Sequence, residues 1–384
     1  MKYGGRRMKI TNVELIPIRS KLEKPLRFSF GIIEHRNFAL IRISTDEGLE
    51  GWGETSVNFP YWSIQERLFT IIYGIKPLLI GENPLEVKRL WRKMISALLN
   101  QGLQWGAKGA IYQAISGVDI ALWDILGKAS GLPLYQMLGG YAKPIRAYAV
   151  GLDPSDQASH AGDCASEGFT AVKVRVGFDE RSDLELVRET RRVIGYDVDL
   201  MVDANMAWGR HQALKMAKAL EEYSLYWLEE PTRCDDLESL KWIAERIGRP
   251  LAAGENAFDI LDAARLIHSR AIRFIMPDVS RCGGITGAQQ ICNFATAHGI
   301  EYSPHAYGTD IALAGALHLM ASVPGGVIAP YDVSKCPAKE EIFEKPITIK
   351  NGYFEIPSSP GIGIEINEKG LEKFRWDPLK LESF

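Results

Sequence analysis

From about residue 145 the sequence alternates short apolar runs with helical segments, and this alternation constrains the fold more than any other feature of the chain. The runs are IRAYAVG, AVKVRVG, DLMVDAN, YWLEEP, PLAAGEN, FIMPDVS and IEYSPHA. Between them lie segments such as DLELVRETRRVIG, RHQALKMAKALEEY and ITGAQQICNFATAHG, which suit helices of about 12 to 18 residues. Repeated strand–helix units build a parallel sheet covered by helices. Seven runs suit a closed barrel better than an open doubly wound sheet. No GxGxxG follows the first run, which lowers the nucleotide-binding reading.

The rest of the chain reads differently. KITNVELIPI and NFALIRISTDEG alternate like antiparallel strands with DEG as a turn, and PLEVKRLWRKMISALLN and AISGVDIALWDILGKASG read as helices. The expected organisation is an α+β capping unit over residues 1–140, a barrel over 141–335 and a C-terminal segment over 336–384. That segment, with ITIKNGYFEIPSSPGIGIEINEKG, returns to strands around an NG turn and is expected to fold back onto the N-terminal unit. A length of 384 residues accommodates a barrel of roughly 250 residues and a smaller unit.

Composition removes several function classes. A net charge of −3 offers nothing to nucleic acid or to an anionic membrane. No apolar run approaches the roughly 20 residues that span a bilayer. The basic N-terminus lacks a continuous apolar stretch, so no signal peptide is expected, and Met8 competes with Met1 as the start because a strand pattern begins there. Cys164, Cys234, Cys282, Cys292 and Cys336 are scattered without CxxC spacing, which points to a reducing, cytoplasmic setting.

The ends of the runs carry the chemistry. Lys173 and Arg175 lie in the second run, Asp203 ends the third, Glu229 the fourth, Glu255 the fifth, Asp278 the sixth and His305 the seventh. The steps from Lys173 to His305 are 30, 26, 26, 23 and 27 residues, each about one strand–helix unit. Residues at successive C-terminal strand ends converge at one barrel mouth. A single acid there would serve equally well as a helix cap. Three in register would repel one another, and a hard divalent cation, Mg²⁺ first, is the economical explanation. Asp278 beside His305 would orient an imidazole and stabilise its charged form. Alternate residues of a strand share a face, so Lys173 and Arg175 point the same way and need an anion to meet. A metal between a cation pair and a His–Asp dyad suits removal of a proton alpha to a carboxylate.

At this point the sequence resembles the enolase superfamily, in its mandelate racemase/muconate lactonizing enzyme branch. The motifs are VDIALWDILGKASGLPLYQMLGG, VKVRVG, VDANMAW, WLEEPT, GEN, MPDVSRCGGITG, SPH and PGIGIEI, in the family's order across nearly the whole chain. The resemblance implies a modified TIM barrel of the (β/α)7β type, with a cap formed by the N-terminal segment and the C-terminal tail. It implies Asp203, Glu229 and Glu255 as Mg²⁺ ligands, with Glu230 supporting them, and Asn205 near the substrate. It implies Lys173 on the substrate carboxylate and Asp278 with His305 as the dyad of the mandelate racemase-like subgroup. The lactonizing and dipeptide epimerase subgroups carry a lysine after the sixth strand, where this chain has Ser280 and Arg281.

Two positions depart from the pattern. The second lysine of the usual Lys-x-Lys is Arg175 here, a poor base and a good anion clamp. Near the eighth strand, where the family often places a glutamate, the chain has Pro330, Tyr331 and Asp332. Racemisation needs a base on each face of the alpha carbon, and dehydration does not. The expected reaction is therefore dehydration of a sugar acid, an aldonate such as arabinonate or gluconate, either with His305 as base and acid or with a base on the Lys173/Arg175 side and His305 as acid alone. The alternatives are a racemase or epimerase with Arg175 as second base, and a barrel without catalysis. Arg27, Tyr61 and Trp62 lie in segments matching the family's capping loops and are expected either to meet distal hydroxyls or to pack the cap. The resemblance further implies a small-molecule partner and a homo-oligomer, dimer or octamer.

Overall fold

The computed structural model describes residues 8–29 and 31–380. Met1 therefore lies outside the described residues. Strands β1 (Ile10–Phe28), β2 (Gly31–Thr45) and β3 (Glu50–Thr55) form an antiparallel sheet in that order. β1 and β2 run far beyond their sheet. Leu26 pairs with Ile33 and Phe28 with Gly31, so their ends form an arm.

Helices α1 (Ser63–Phe69), α2 (Lys76–Leu79), α3 (Val87–Trp105) and α4 (Lys108–Ser130) follow, with a π-helical turn over Thr70–Ile75 between the first two. The middle of α4, Ile111 to Ile125, is buried almost all round. A Cβ on Gly53 of β3 would stand 1.9 Å from the Gly117 carbonyl oxygen of α4, so the sheet can approach this helix only through glycine. A short helix, α5 (Leu134–Met137), precedes the barrel.

Among the described residues the barrel has eight parallel strands: β4 (Ile145–Val150), β5 (Ala171–Arg175), β6 (Asp199–Asp203), β7 (Leu225–Glu229), β8 (Leu251–Ala253), β9 (Phe274–Ile275), β10 (Glu301–Tyr302) and β11 (Ala329–Asp332). Seven helices connect them: α6 (Gln157–Ser166), α7 (Glu180–Ile194), α8 (Arg210–Leu220), α9 (Leu237–Ala244), α10 (Ile260–His268), α11 (Gly284–Ala297) and α12 (Asp310–Ser322). The strands pair in order from β4 to β10, and β11 pairs with β4. A bridge between Tyr302 and Gly326, with Val327 N–H donating to Tyr302 O at 3.0 Å, joins the remaining edges. The expected (β/α)7β barrel with an α+β cap is the fold. The helix starts are written locally: Asp156, Asp179, Asp236 and Asp259 each accept a hydrogen bond from the backbone three residues on.

The inside of the barrel is a small apolar cluster that includes Tyr148, Ala171, Met201, Trp227, Phe274 and Met276. Side chains alternate along a strand, so two residues beyond each of four of these stand Lys173, Asp203, Glu229 and Asp278. The same parity that packs the barrel floor thus carries the polar groups to its mouth.

The tail contains α13 (Pro337–Glu341), the hairpin β12 (Ile349–Lys350) and β13 (Tyr353–Phe354), and α14 (Glu368–Phe374). The hairpin differs from the expectation. β13 pairs antiparallel with β4, at Tyr353 with Arg146 and Phe354 with Ile145. The reason is that the paired residues of β5 and β11 begin further along β4, which leaves its first two residues open. Only beyond the hairpin does the chain return to the cap, where Ile362 N–H donates to Asp124 at 2.9 Å and Arg375 bridges to Ile18. No helix among the described residues is long and apolar enough to cross a membrane.

His318 of α12 ties this junction together. Its Nδ1 accepts from Tyr135 N–H at 3.2 Å and its Nε2 lies 3.0 Å from Ile362 O. Burial pushes its pKa down from 6.5 to about 4. The folded chain binds this proton less readily than the unfolded chain, so the stability contribution is complete above pH 6.5 and falls away towards pH 4. The loss over that window is on the order of 3 kcal/mol. Urea midpoints of wild type and His318→Gln at about pH 7 and pH 4.5 check this. The wild type is expected to lose more stability on acidification than the variant, and equal losses would refute the assignment.

Candidate active site

Register places the site residues side by side. Arg175 pairs with Asp203, and Asp203 pairs with Glu229, in one row across β5, β6 and β7. Lys173 Nζ lies 2.9 and 2.8 Å from the two Glu229 oxygens and 3.7 Å from Asp203 Oδ2. Trp227 Nε1 donates to Glu229 Oε2 at 3.0 Å. Arg175 Nη2 donates to Asp203 Oδ2 at 3.3 Å. Across the mouth, Glu255 accepts from Arg281 Nη1 at 3.1 Å and stands 3.2 Å from His305 Nε2. His305 Nδ1 lies 2.5 Å from Asp278 Oδ2. The other Asp278 oxygen accepts from Ser280 N–H at 2.7 Å and Ser280 Oγ at 2.6 Å. Carboxylates are pure acceptors, so both ring nitrogens, Nδ1 towards Asp278 and Nε2 towards Glu255, are assigned protons in this arrangement.

Burial and charge set the protonation of these groups. Burial pushes Glu229 up to about 7, and Asp203 and Glu255 add to it against the pull of Lys173. Glu230 is raised well above the usual carboxylate range by burial and by the charges of Glu255, Asp203 and Glu229. Burial also works to raise Glu255, but His305, Arg281, Lys173 and Arg175 hold it down at about 2. Burial works against the charge of Lys173, and Glu229 and Asp203 raise its pKa nonetheless. His305 is raised in the same way by Glu255 and Asp278.

The acids do not close on a common point. Among the described residues no three Asp, Glu, His or Cys side chains form a metal-ready group. This departs from the shared Mg²⁺ position expected for Asp203, Glu229 and Glu255. Buried like charges repel, and each acid turns to a protein cation instead of to its neighbours. The donor set nevertheless fits a hard divalent cation. It is all oxygen at successive strand ends, Asp203, Glu229 and Glu230 are buried, and burial together with the neighbouring acids raises Glu229 and Glu230.

A cavity of about 430 Å³ opens beside these groups, with Arg27, Phe28, Lys173, Arg175, Asp203 and Tyr307 in its wall. The arm of β1 and β2 supplies Arg27, whose guanidinium lies 5.1 Å over the Phe178 ring, and Phe28, 4.3 Å from the Arg175 guanidinium. Ser29 Oγ donates to Asn205 O at 2.6 Å, which docks the arm on the loop after β6. Asn205 N–H donates to Asp203 Oδ1 at 2.8 Å. Asn205, Met206 and Glu230 all have positive φ, so backbone strain gathers just beyond two of the acids. Tyr61 is not in this wall; it is 47% exposed and packs edge-on against Trp62. Trp62 is likewise exposed and outside this wall.

Several residues at the mouth carried no sequence signal. Glu54 of β3 accepts from Thr309 N–H and Oγ1 and from Ala312 N–H, which fixes the loop after His305 to the cap. Burial pushes its carboxyl up to about 7. Arg36 of the arm, fully buried, pairs with Asp332 at 2.6 Å. Those partners lie 296 residues apart, beyond the reach of any local pattern. Tyr307 could have been noticed, since it lies two residues after His305 in SPHAYG.

Two family descriptions match the chain: "Mandelate racemase / muconate lactonizing enzyme, N-terminal domain" over residues 10–139 and "Enolase C-terminal domain-like" over 156–370. A D-galactarolactone cycloisomerase from Agrobacterium fabrum is 31% identical, covering 96% of this chain and 99% of its own. An arabinonate dehydratase from Saccharolobus solfataricus is 32% identical, covering 90% and 92%. A racemase from Streptomyces coelicolor with bound magnesium is similar in structure, with a TM-score of 0.85, 27% identity and coverage of 96% and 100%.

Proposed function

The chain belongs to the mandelate racemase/muconate lactonizing enzyme family of the enolase superfamily, and on that premise we propose that it dehydrates a sugar acid, an aldonate such as arabinonate or gluconate, to a 2-keto-3-deoxy acid. The observation that carries this reading is the asymmetry of the mouth. One side holds a histidine fixed by an aspartate, and the other holds an arginine where a second base would stand.

In its neutral form His305 takes the alpha proton at Nε2, and the Asp278 carboxylate steadies the imidazolium that results. The same proton then goes to the beta hydroxyl as it leaves. The enol that remains tautomerises to the keto acid. Lys173 and Arg175 hold the substrate carboxylate and offset the charge that develops on it. A guanidinium is a poor general base, and Lys173 is taken up in holding the carboxylate, so racemisation is disfavoured. Asp203, Glu229 and Glu255 would hold Mg²⁺, which supplies Lewis-acid stabilisation of the carboxylate when bound.

The full-length similarity to a cycloisomerase supports a second substrate type. In a lactone acid the leaving oxygen belongs to the ring ester, and the same dyad would serve. Oligomers of two or eight copies and a cytoplasmic location complete the proposal. A library of aldonates, aldarates and their lactones, screened with Mg²⁺ for 2-keto acid, tests it. At least one acid is expected to give keto product. Inversion of an acid without keto product would replace the proposal by racemisation.

A further inference from the structure

The end of β11 has an acid that is not free to serve a substrate. The Asp332 side chain is 4% exposed, and its Oδ2 is shared by Arg36 at 2.6 Å and Lys339 at 3.1 Å. Its Oδ1 accepts from Ser334 N–H at 3.0 Å and Ser334 Oγ at 2.6 Å. Both oxygens are therefore committed.

Arg36 also fixes a neighbour. Its Nη2 donates to Tyr307 O at 2.8 Å, and its guanidinium lies 3.9 Å from the Tyr307 ring centre. Asn58 Nδ2 reaches the same carbonyl at 3.2 Å. Phe28 meets the ring edge-on at 6.1 Å. Main chain and ring of Tyr307 are thus held from the cap on several sides. Its hydroxyl makes no hydrogen bond among the described residues. The same cavity wall contains Arg175, whose Nη1 is buried without a hydrogen-bond partner while Nη2 is taken by Asp203. An unpaired buried donor costs roughly 1–3 kcal/mol, which an acceptor oxygen would relieve. A neutral phenol and a guanidinium are both donors, so the acceptor they suit is anionic and carries oxygen.

We propose that the Tyr307 hydroxyl and Arg175 Nη1 form a donor pair for the carboxylate of the bound acid, in place of the strand-end acid that Arg36 and Lys339 have engaged. The pair rests on the reading of the substrate as a carboxylate, and not on which bond the reaction breaks. Burial pushes the phenol up to about 12, so it remains a donor at neutral pH.

Oxalate, a planar dicarboxylate with neither an alpha proton nor a leaving group, is the probe. Its affinity is measured by calorimetry with Mg²⁺ present, for wild type, Tyr307→Phe and Arg175→Lys. Phenylalanine keeps the ring contacts and loses only the hydroxyl. Lysine keeps the charge and loses the second arm of the fork. Each variant is expected to bind oxalate about tenfold more weakly, with a thermal midpoint close to wild type. Wild-type affinity in either folded variant overturns the pair. Because oxalate cannot react, a failure of the dehydratase reading leaves this result standing, and a failure of the pair leaves dehydration standing.

Discussion

His305→Asn lowers turnover of the sugar acid by about 10³-fold while leaving the fold intact. The expectation follows from the geometry of the dyad. Asp278 is buried, and Ser280 engages one of its oxygens, so its other oxygen is directed at His305 Nδ1. That bond orients the ring, and Nε2, which stands 3.2 Å from Glu255 Oε2, is the nitrogen that can exchange a proton with substrate. Asparagine can still donate to Asp278, and it cannot remove a proton. Asp278→Asn should lower turnover as well, because an amide can hold the wrong tautomer and cannot stabilise the imidazolium. Steady-state turnover with melting curves of both variants checks the prediction. Full activity in His305→Asn would move the base to the Lys173 side of the cavity.

Removal of divalent metal should abolish turnover, and Mg²⁺ should restore it. The argument is electrostatic. Buried Asp203, Glu229 and Glu230 sit with the partly exposed Glu255, and burial and the neighbouring acids push two of the four carboxyls above their ordinary range. A divalent cation bound only by the folded chain also stabilises it, by about 2.7 kcal/mol at a hundredfold excess over its Kd. The thermal midpoint should therefore rise by several degrees with saturating Mg²⁺. In Glu229→Gln this rise should shrink, since one oxygen ligand loses its charge. Activity that survives exhaustive chelation, with no shift in melting, would refute the metal assignment.

How much of this was legible depended on the range of the interaction. The strand ends from Lys173 to His305 were legible because each strand–helix unit repeats at nearly constant length and side chains alternate. The convergence of Asp203, Glu229 and Glu255 at one mouth followed from that spacing alone. Their present partners did not, because Arg281 and Lys173 reach Glu255 and Glu229 from other strand ends, 26 and 56 residues away in sequence. The arm of β1 and β2 was also hidden. KLEKPLRF is charged and contains a proline, which reads as a loop, yet pairing with β2 extends β1 to Phe28. The attachment of β13 to β4 depends on an open strand edge that exists only once the barrel has formed. Arg36 and Asp332 are joined across 296 residues, and no periodicity connects them.

The most direct test follows the alpha proton. Proton NMR of the wild-type chain with Mg²⁺ in D₂O, on an acid that it consumes, reports both the bond broken and the product. The account predicts loss of the alpha-proton signal together with a 2-keto-3-deoxy acid that carries deuterium at C3. Exchange of the alpha proton with inversion, and no keto acid, would contradict it.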